Sequence, residues 1–257
     1  MTVPRIYFPG PRGKGEIFDL GGGNLKYVKS VLRMKKGDHL VLFNGTGWEY
    51  EAVIRNCSTD SIDIEVLEKK RIQDESPKIT LLQSLPKANK MDSIVRKATE
   101  LGARTIIPFR STRSVPQLMA EKAHSRVLRW RSIAIEAARQ CGRADIPEVN
   151  DILSFEEMLP SVEGGVLKII FWEEESERGI KKLLRDSRYV GAKDITVMIG
   201  PEGGFSRDEV ESAMRRGFIS VSLGRNVLKV ETAAVTILSI IQYELGIFGR
   251  ETEGGKL

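Results

Sequence analysis

Ile199-Gly200-Pro201-Glu202-Gly203-Gly204-Phe205-Ser206 and Leu223-Gly224-Arg225-Asn226-Val227-Leu228-Lys229-Val230-Glu231-Thr232-Ala233 decide how this chain reads. Each is a short apolar run that enters a glycine-rich loop and then opens a helix. In an open α/β sheet, ligands bind outside the carboxyl ends of the strands. Two such loops one unit apart therefore read as two walls of one pocket. Glycine lets backbone groups approach a ligand with no Cβ in the way, and Gly200 is expected to be such a position. Ser206, with Glu209 three residues later, forms a capping-box signal for the helix after the first loop. Asp208, Glu209 and Glu211 would repel a phosphate at that helix start, so the expected ligand is neutral or cationic. Taken alone, GPEGG also suits a tight connection in a parallel sheet.

Working outward, residues 77–257 alternate apolar runs with helical stripes, the pattern of an α/β domain. Strands are expected at 79–84, 105–108, 167–171, 195–199 and 219–222, with a shorter one near 148–150. Their near-continuous apolar character suits a parallel sheet buried on both faces. Helices are expected at 90–101, 120–141, 176–186, 206–216 and 232–246. The last is apolar almost all round, so it must be central to the core or shared with a second subunit. Residues 1–72 differ. Short alternating segments at 5–8, 16–19, 39–43, 48–54 and 61–68 surround one helix, which Asn24 is expected to cap and Gly37 to end. That pattern fits a small barrel, a common platform for RNA. The organisation expected is a barrel over 1–72, a linker at 73–77 and an α/β domain over 78–257.

The 257 residues carry a net charge of +5, unevenly spread. Residues 1–72 hold 12 Lys/Arg against 9 Asp/Glu, residues 78–143 hold 14 against 4, and residues 144–257 hold 14 against 20. A basic segment joined to an acidic one suits a polyanion-binding face with the ligand pocket elsewhere, although a solvated basic helix gives the same count. The two cysteines, Cys57 and Cys141, make neither a disulfide scaffold nor a CxxC metal pair. His39 and His124 are too far apart in sequence to suggest a metal site, and no metal is expected. No GxGxxG, phosphate loop or GxSxG appears; Gly10-Pro11-Arg12-Gly13-Lys14-Gly15 lacks both the spacing and the Ser/Thr of a phosphate loop. The N-terminal residues lack a secretory apolar run and no segment is long enough to cross a bilayer, so a cytoplasmic location and no membrane partner are expected. Glu136, Gln140, Arg143, Glu202 and Glu231 are polar residues in apolar or glycine-rich settings. Glu231 stands out because it lies where the second loop meets the apolar helix, where a carboxylate needs a cation or a ligand.

IGPEGGFSRDEV (199–210), LGRNVLKVETAA (223–234), KMDSIVRKATELGARTIIPF (90–109) and IAIEAARQCGRADIPEV (133–149) together resemble the bacterial small-subunit rRNA uracil-N3 methyltransferases of the SPOUT superfamily. The resemblance spans nearly the whole chain. It implies a PUA-like RNA-binding β-barrel followed by a SPOUT α/β domain with a parallel sheet and a deep trefoil knot. It also implies a homodimer with the active site at the subunit interface, and small-subunit rRNA, in an assembled or partly assembled subunit, as partner. S-adenosylmethionine is the implied cofactor, held by Phe171, Trp172, Glu173, Ile199, Gly200, Pro201, Glu202, Gly203, Leu223, Gly224, Asn226, Val227 and Leu228. Arg143 and Glu231 are the candidates for catalytic positioning; Arg33, Lys87, Lys90 and Arg113 are the candidates for RNA contact.

Methyl transfer from a sulfonium needs an aligned nucleophile and a route for the N3 proton of uracil, with no metal and no covalent enzyme intermediate. That matches what the motifs lack. Two departures stand out. Lys229 occupies a position where the family usually has Arg, which loses a planar fork. Tyr27 stands where related sequences often have His. The alternatives are a ribose 2′-O methyltransferase of the same superfamily and a non-catalytic RNA-binding assembly factor.

Overall fold

The structure, a computed structural model, describes residues 3–10, 12–73, 76–114, 120–162 and 164–245. It divides into two compact units, one of Met1–Asp74 with Ile135–Ile146 and one of Glu75–Ala134 with Pro147–Leu257. Residues 135–146, which sequence reasoning assigned to the α/β domain, thus cluster with the first unit.

In the first unit, β1 (Arg5–Tyr7), β2 (Ile17–Asp19), β3 (His39–Phe43), β4 (Trp48–Cys57) and β5 (Ile62–Arg71) form one sheet of order β1-β3-β4-β5-β2. β1 runs parallel to β3 and the other neighbours are antiparallel. The inner face buries Leu40, Leu42, Tyr50, Ala52, Ile54, Ile62, Ile64 and Val66. Two-residue alternation along β4 and β5 places these side chains together. The two outer strands meet through side chains. The rings of Phe8 and Phe18 lie 4.7 Å apart, and the Arg12 guanidinium sits over both.

The helix of this unit is shorter than its apolar stripe suggested. α1 (Gly23–Lys26) passes into a π turn (Tyr27–Val31) and stops at Leu32, because Arg33 adopts φ 54°. Asn24 caps nothing; its amide donates to the Tyr7 carbonyl at 3.1 Å and ties the helix to β1.

The second unit contains β6 (Lys78–Ser84), β7 (Ala103–Arg110), β8 (Glu148–Val149), β9 (Leu153–Ser154), β10 (Leu167–Phe171), β11 (Asp194–Ile199) and β12 (Ile219–Val221). Their order is β12-β10-β11-β6-β7-β8, with β9 also on β7, and every pairing is parallel. The helices are α2 (Lys90–Glu100), α3 (Ala120–Cys141), whose residues from Ile135 on belong to the first unit, α4 (Phe155–Ser161), α5 (Ile180–Leu184), α6 (Arg207–Arg215) and α7 (Val230–Glu244). β9 and α4 are additions to the expected elements. α4 had a readable signal, since Ser154 and Glu157 form a reciprocal capping box like that of Ser206 and Glu209. α5 is half the expected length. The stretch before it extends instead, with Gly179 bridged to Ser222 and the Glu175 carboxylate taking the Glu177 and Arg178 amides. Residue 246, the expected end of the last helix, lies outside the described residues.

α2 and α7 pack together. Gln242 on α7, only 1% exposed, donates its amide to the Leu101 carbonyl at the end of α2, at 3.0 Å. Gly102 makes the stop there, with φ +84°, and a Cβ on it would collide with the Gln242 amide. Gly102→Ala is therefore expected to destabilise the protein by at least about 1–2 kcal/mol, the cost of a left-handed non-glycine residue. Urea denaturation of the two proteins measures it, and an unchanged midpoint would contradict this account of the α2–α7 contact.

Candidate active site

β11, β10 and β12 end side by side, because β10 lies between the other two in the sheet. The loops that leave these three ends enclose a cavity of about 510 Å³. Its first wall is the 199–204 loop, which runs into α6. Ser206 caps that helix and accepts from the Glu209 amide, while the Glu209 carboxylate takes the Ser206 amide at 2.9 Å. The other Glu209 oxygen takes the Thr112 amide at 2.8 Å, so one buried carboxylate holds both the helix start and the turn after β7. The second wall is the 222–229 loop entering α7, and the third is Phe171-Trp172-Glu173 after β10.

Every residue expected at the cofactor loops lines this cavity except Gly203. Gly203 instead packs against Arg113, whose guanidinium donates to its carbonyl at 3.0 Å. Gly200 lines the cavity and is also packed from beneath, since a Cβ there would meet the buried Phe205 ring at 3.2 Å. Gly204 carries the stronger constraint. It has φ +66°, and a Cβ on it would overlap the Glu173 carboxylate, which lies against its α-carbon. Trp172 adds a buried indole N–H without a hydrogen-bond partner to the cavity wall.

The charged residues sort differently from the sequence expectation. Lys90, expected on the RNA face, lines the cavity. Its ammonium lies 2.7 Å from Glu202 and 3.7 Å from Glu231. Glu202 also accepts the Lys87 amide through both oxygens at 3.1 Å. Burial works to raise the Glu202 carboxyl, but the hydrogen bonds from Lys90 and the Lys87 amide outweigh it and hold the group below the usual carboxylate range. The Glu202 hydrogen bond in turn raises the Lys90 ammonium. Glu231 sits in the first turn of α7, where the helix dipole favours a carboxylate, and its Oε2 is buried without a hydrogen bond.

Arg143 belongs to the first unit. It is ion-paired to Asp145 at 2.7 Å, and its carbonyl accepts from Arg5 at 3.1 Å. Arg33, Lys87 and Arg113 are exposed. Arg225, within the loop expected to hold the cofactor, lines the cavity wall, and so does Lys229, just beyond that expected stretch. Tyr27 carries the Arg139 guanidinium 4.2 Å from its ring centre. Among the described residues no cluster of His, Cys, Asp and Glu suited to a metal ion occurs, and no helix is long and apolar enough to cross a membrane.

Residues 74–242 match the family model of the RNA methyltransferase domain, and residues 20–67 match that of the RNA methyltransferase PUA domain. The chain is 32% identical over 232 residues to the ribosomal RNA small subunit methyltransferase E of Bacillus subtilis, covering 88% of this chain and 90% of that one. It is 33% identical to the protein of the same name from Buchnera aphidicola, over 96% and 95% of the two chains. Among solved structures it resembles a ribosomal RNA small subunit methyltransferase E from Neisseria gonorrhoeae bound to S-adenosyl methionine, with TM-score 0.86, 30% identity and coverage of 96% and 100%. A methyltransferase from Legionella pneumophila with bound cofactor SAM superposes with TM-score 0.85 at 34% identity, over 94% and 98% of the two chains.

Because the Cβ direction at Gly200 is filled by Phe205, Gly200→Val is expected to act through the core. Overpacking of this kind costs about 1–3 kcal/mol, so the variant should melt at a lower temperature than the parent. An unchanged melting curve by circular dichroism would mean that the Phe205 ring yields freely and that this packing account is wrong.

Proposed function

The chain belongs to the family of ribosomal RNA small subunit methyltransferases E, and on that premise we propose that it transfers a methyl group from S-adenosylmethionine to N3 of a uridine in small-subunit rRNA. The observation that carries this reading is the 510 Å³ cavity built by three strand-end loops. Its residues suit the cofactor in two ways: glycine-rich loops leave backbone groups open to a ligand, and acidic Glu173 and Glu202 beside basic Lys90, Arg225 and Lys229 offer both signs of charge to a zwitterionic sulfonium donor. When bound, S-adenosylmethionine supplies an electrophilic methyl group on a sulfonium. The 199–204 and 222–229 loops and Phe171-Trp172-Glu173 would hold it.

The protein's remaining task is to present an unstacked uracil in line with that methyl group and to let its N3 proton leave. Glu231, at the loop–helix junction, and Arg143, held rigid by Asp145, are the residues we assign to orienting the base or the partner's loop. RNA contact falls to the exposed Arg33, Lys87 and Arg113 and to the basic segment around them in sequence. Lys90 is committed to two carboxylates and leaves that set. The substrate is an assembled or partly assembled small subunit, and the site of action is the cytoplasm.

Nucleoside mass analysis of small-subunit rRNA from cells lacking this protein tests the reading. The expected result is loss of one N3-methyluridine, restored by the wild-type protein. Loss of a ribose 2′-O-methyl group instead would favour the related chemistry. An unchanged profile, with no S-adenosylmethionine bound by the pure protein, would favour a non-catalytic assembly factor.

We also propose a homodimer through α7. Ile237, Leu238 and Ile241 of this helix are buried within the protomer, while Ile240 is half-buried and Tyr243 is 69% exposed. A symmetric partner would cover that outer face. A charge at Ile241 would unfold the protomer, so Ile240→Glu with Tyr243→Glu is the cleaner disruption. Sedimentation at micromolar concentration is expected to show a wild-type dimer and a folded monomeric variant. A wild-type monomer that is active would rule the dimer out.

A further inference from the structure

We infer that Lys90 is a positioning residue of the cofactor site: its ammonium clasps Glu202, in the first glycine-rich loop, and Glu231, in the first turn of the helix that the second loop enters, and so sets the spacing of the two cavity walls. This rests on the cofactor reading above. Glu202 belongs to the loop after β11, and Glu231 to the start of α7 after the loop from β12. These segments are far apart in sequence, and Lys90 reaches both from the first residue of α2, at 2.7 and 3.7 Å.

The turn that leads into α2 grips Glu202 a second time through the Lys87 amide at 3.1 Å. Among the described residues Glu231 has no such second grip. Its Oε2 is buried without a hydrogen bond, so the Lys90 charge is its compensation. The far end of the same helix pair is fixed by Gln242 on the Leu101 carbonyl at 3.0 Å. α2 and α7 are thus pinned at both ends, and the end with Lys90 forms the rim of the cavity.

Removing the ammonium would leave two carboxylates facing each other beside a cavity proposed to hold a cation. Like charges so placed either take up a proton or move apart, and either change alters the site. The other charged groups lining the cavity are Glu173, Arg225 and Lys229. Among the described residues none of these forms an ion pair with Lys90, Glu202 or Glu231, so none is in place to substitute. The lowered Glu202 carboxyl is consistent with the clasp. A carboxyl lowered in this way keeps its pairing above the ordinary carboxylate range and loses it only as the pH falls through the lowered value.

Two measurements on wild type, Lys90→Met and Lys90→Arg test the clasp. The first is S-adenosylmethionine affinity by calorimetry at neutral pH. The second is the Glu202 titration in the ligand-free protein, followed by carbon-13 NMR of its carboxyl. Lys90→Met is expected to weaken binding about tenfold, a modest free-energy change, and to move the Glu202 midpoint upward. Lys90→Arg keeps the charge and should stay within about threefold of wild type, the margin left for its different geometry. If Lys90→Met does not fold, Lys90→Gln takes its place with the same expectations. Wild-type affinity in a folded, uncharged variant would overturn the positioning role, and an unmoved Glu202 midpoint would overturn the clasp itself. A wild-type protein that binds no S-adenosylmethionine overturns the cofactor reading and the positioning role with it, while the Glu202 midpoint still decides whether the clasp exists.

Discussion

Three parallel strands ending side by side are the constraint on which the site depends. β10 lies between β11 and β12, so the loops leaving these strands converge although long stretches of chain separate them. Parallel strands present their carboxyl ends at one edge, and the chain must leave that edge through loops before it can turn back. Those loops carry the backbone polarity of the site. Loops that close on one cavity need close approaches, as at Gly204 against the Glu173 carboxylate. It also needs rigid anchors. The capping box of Ser206 and Glu209 provides one, reinforced by the Thr112 amide on the second Glu209 oxygen.

Charge completes what the strands begin. Glu202, in the first glycine-rich loop, and Glu231, in the helix turn after the second, are both gathered by Lys90. All three side chains are partly exposed, at 22–32%, so the attraction is screened and contributes direction more than stability. Its use lies in geometry, because a single ammonium cannot satisfy two carboxylates unless both loops are in place. The first unit has a comparable device on a smaller scale. Arg143 is held by Asp145, which fixes the direction of a guanidinium that a flexible loop would leave free.

Much of this was open to sequence reasoning. Strong periodicity and capping chemistry gave β6, β10, β11, α2, α3 and α6 nearly to the residue, since local rules and tertiary packing agree there, while β7 runs two residues further at each end than expected. The same rules failed where distant partners intervened. The run before α5 looks helical yet extends to bridge Ser222. Asn24 looks like a cap yet donates to Tyr7. α4 was missed although its Ser154–Glu157 box was present, because a seven-residue element leaves too short a stripe to register beside longer ones.

The chain on its own thus determined the alternation of strands and helices and the two glycine loops, because both depend on neighbours within a few residues. Tertiary structure decided which charges meet. The sequence offered Lys90 as one of 14 cations in a basic segment, indistinguishable from Lys87. Folding brought it within 2.7 Å of Glu202, 112 residues away, and made it a link between the loop after β11 and the start of α7. It likewise set the Cβ direction of Gly200 against the Phe205 ring. The physical reason is common to both: periodicity and capping are properties of adjacent residues, whereas ion pairs and close contacts depend on distances that only the packed chain defines.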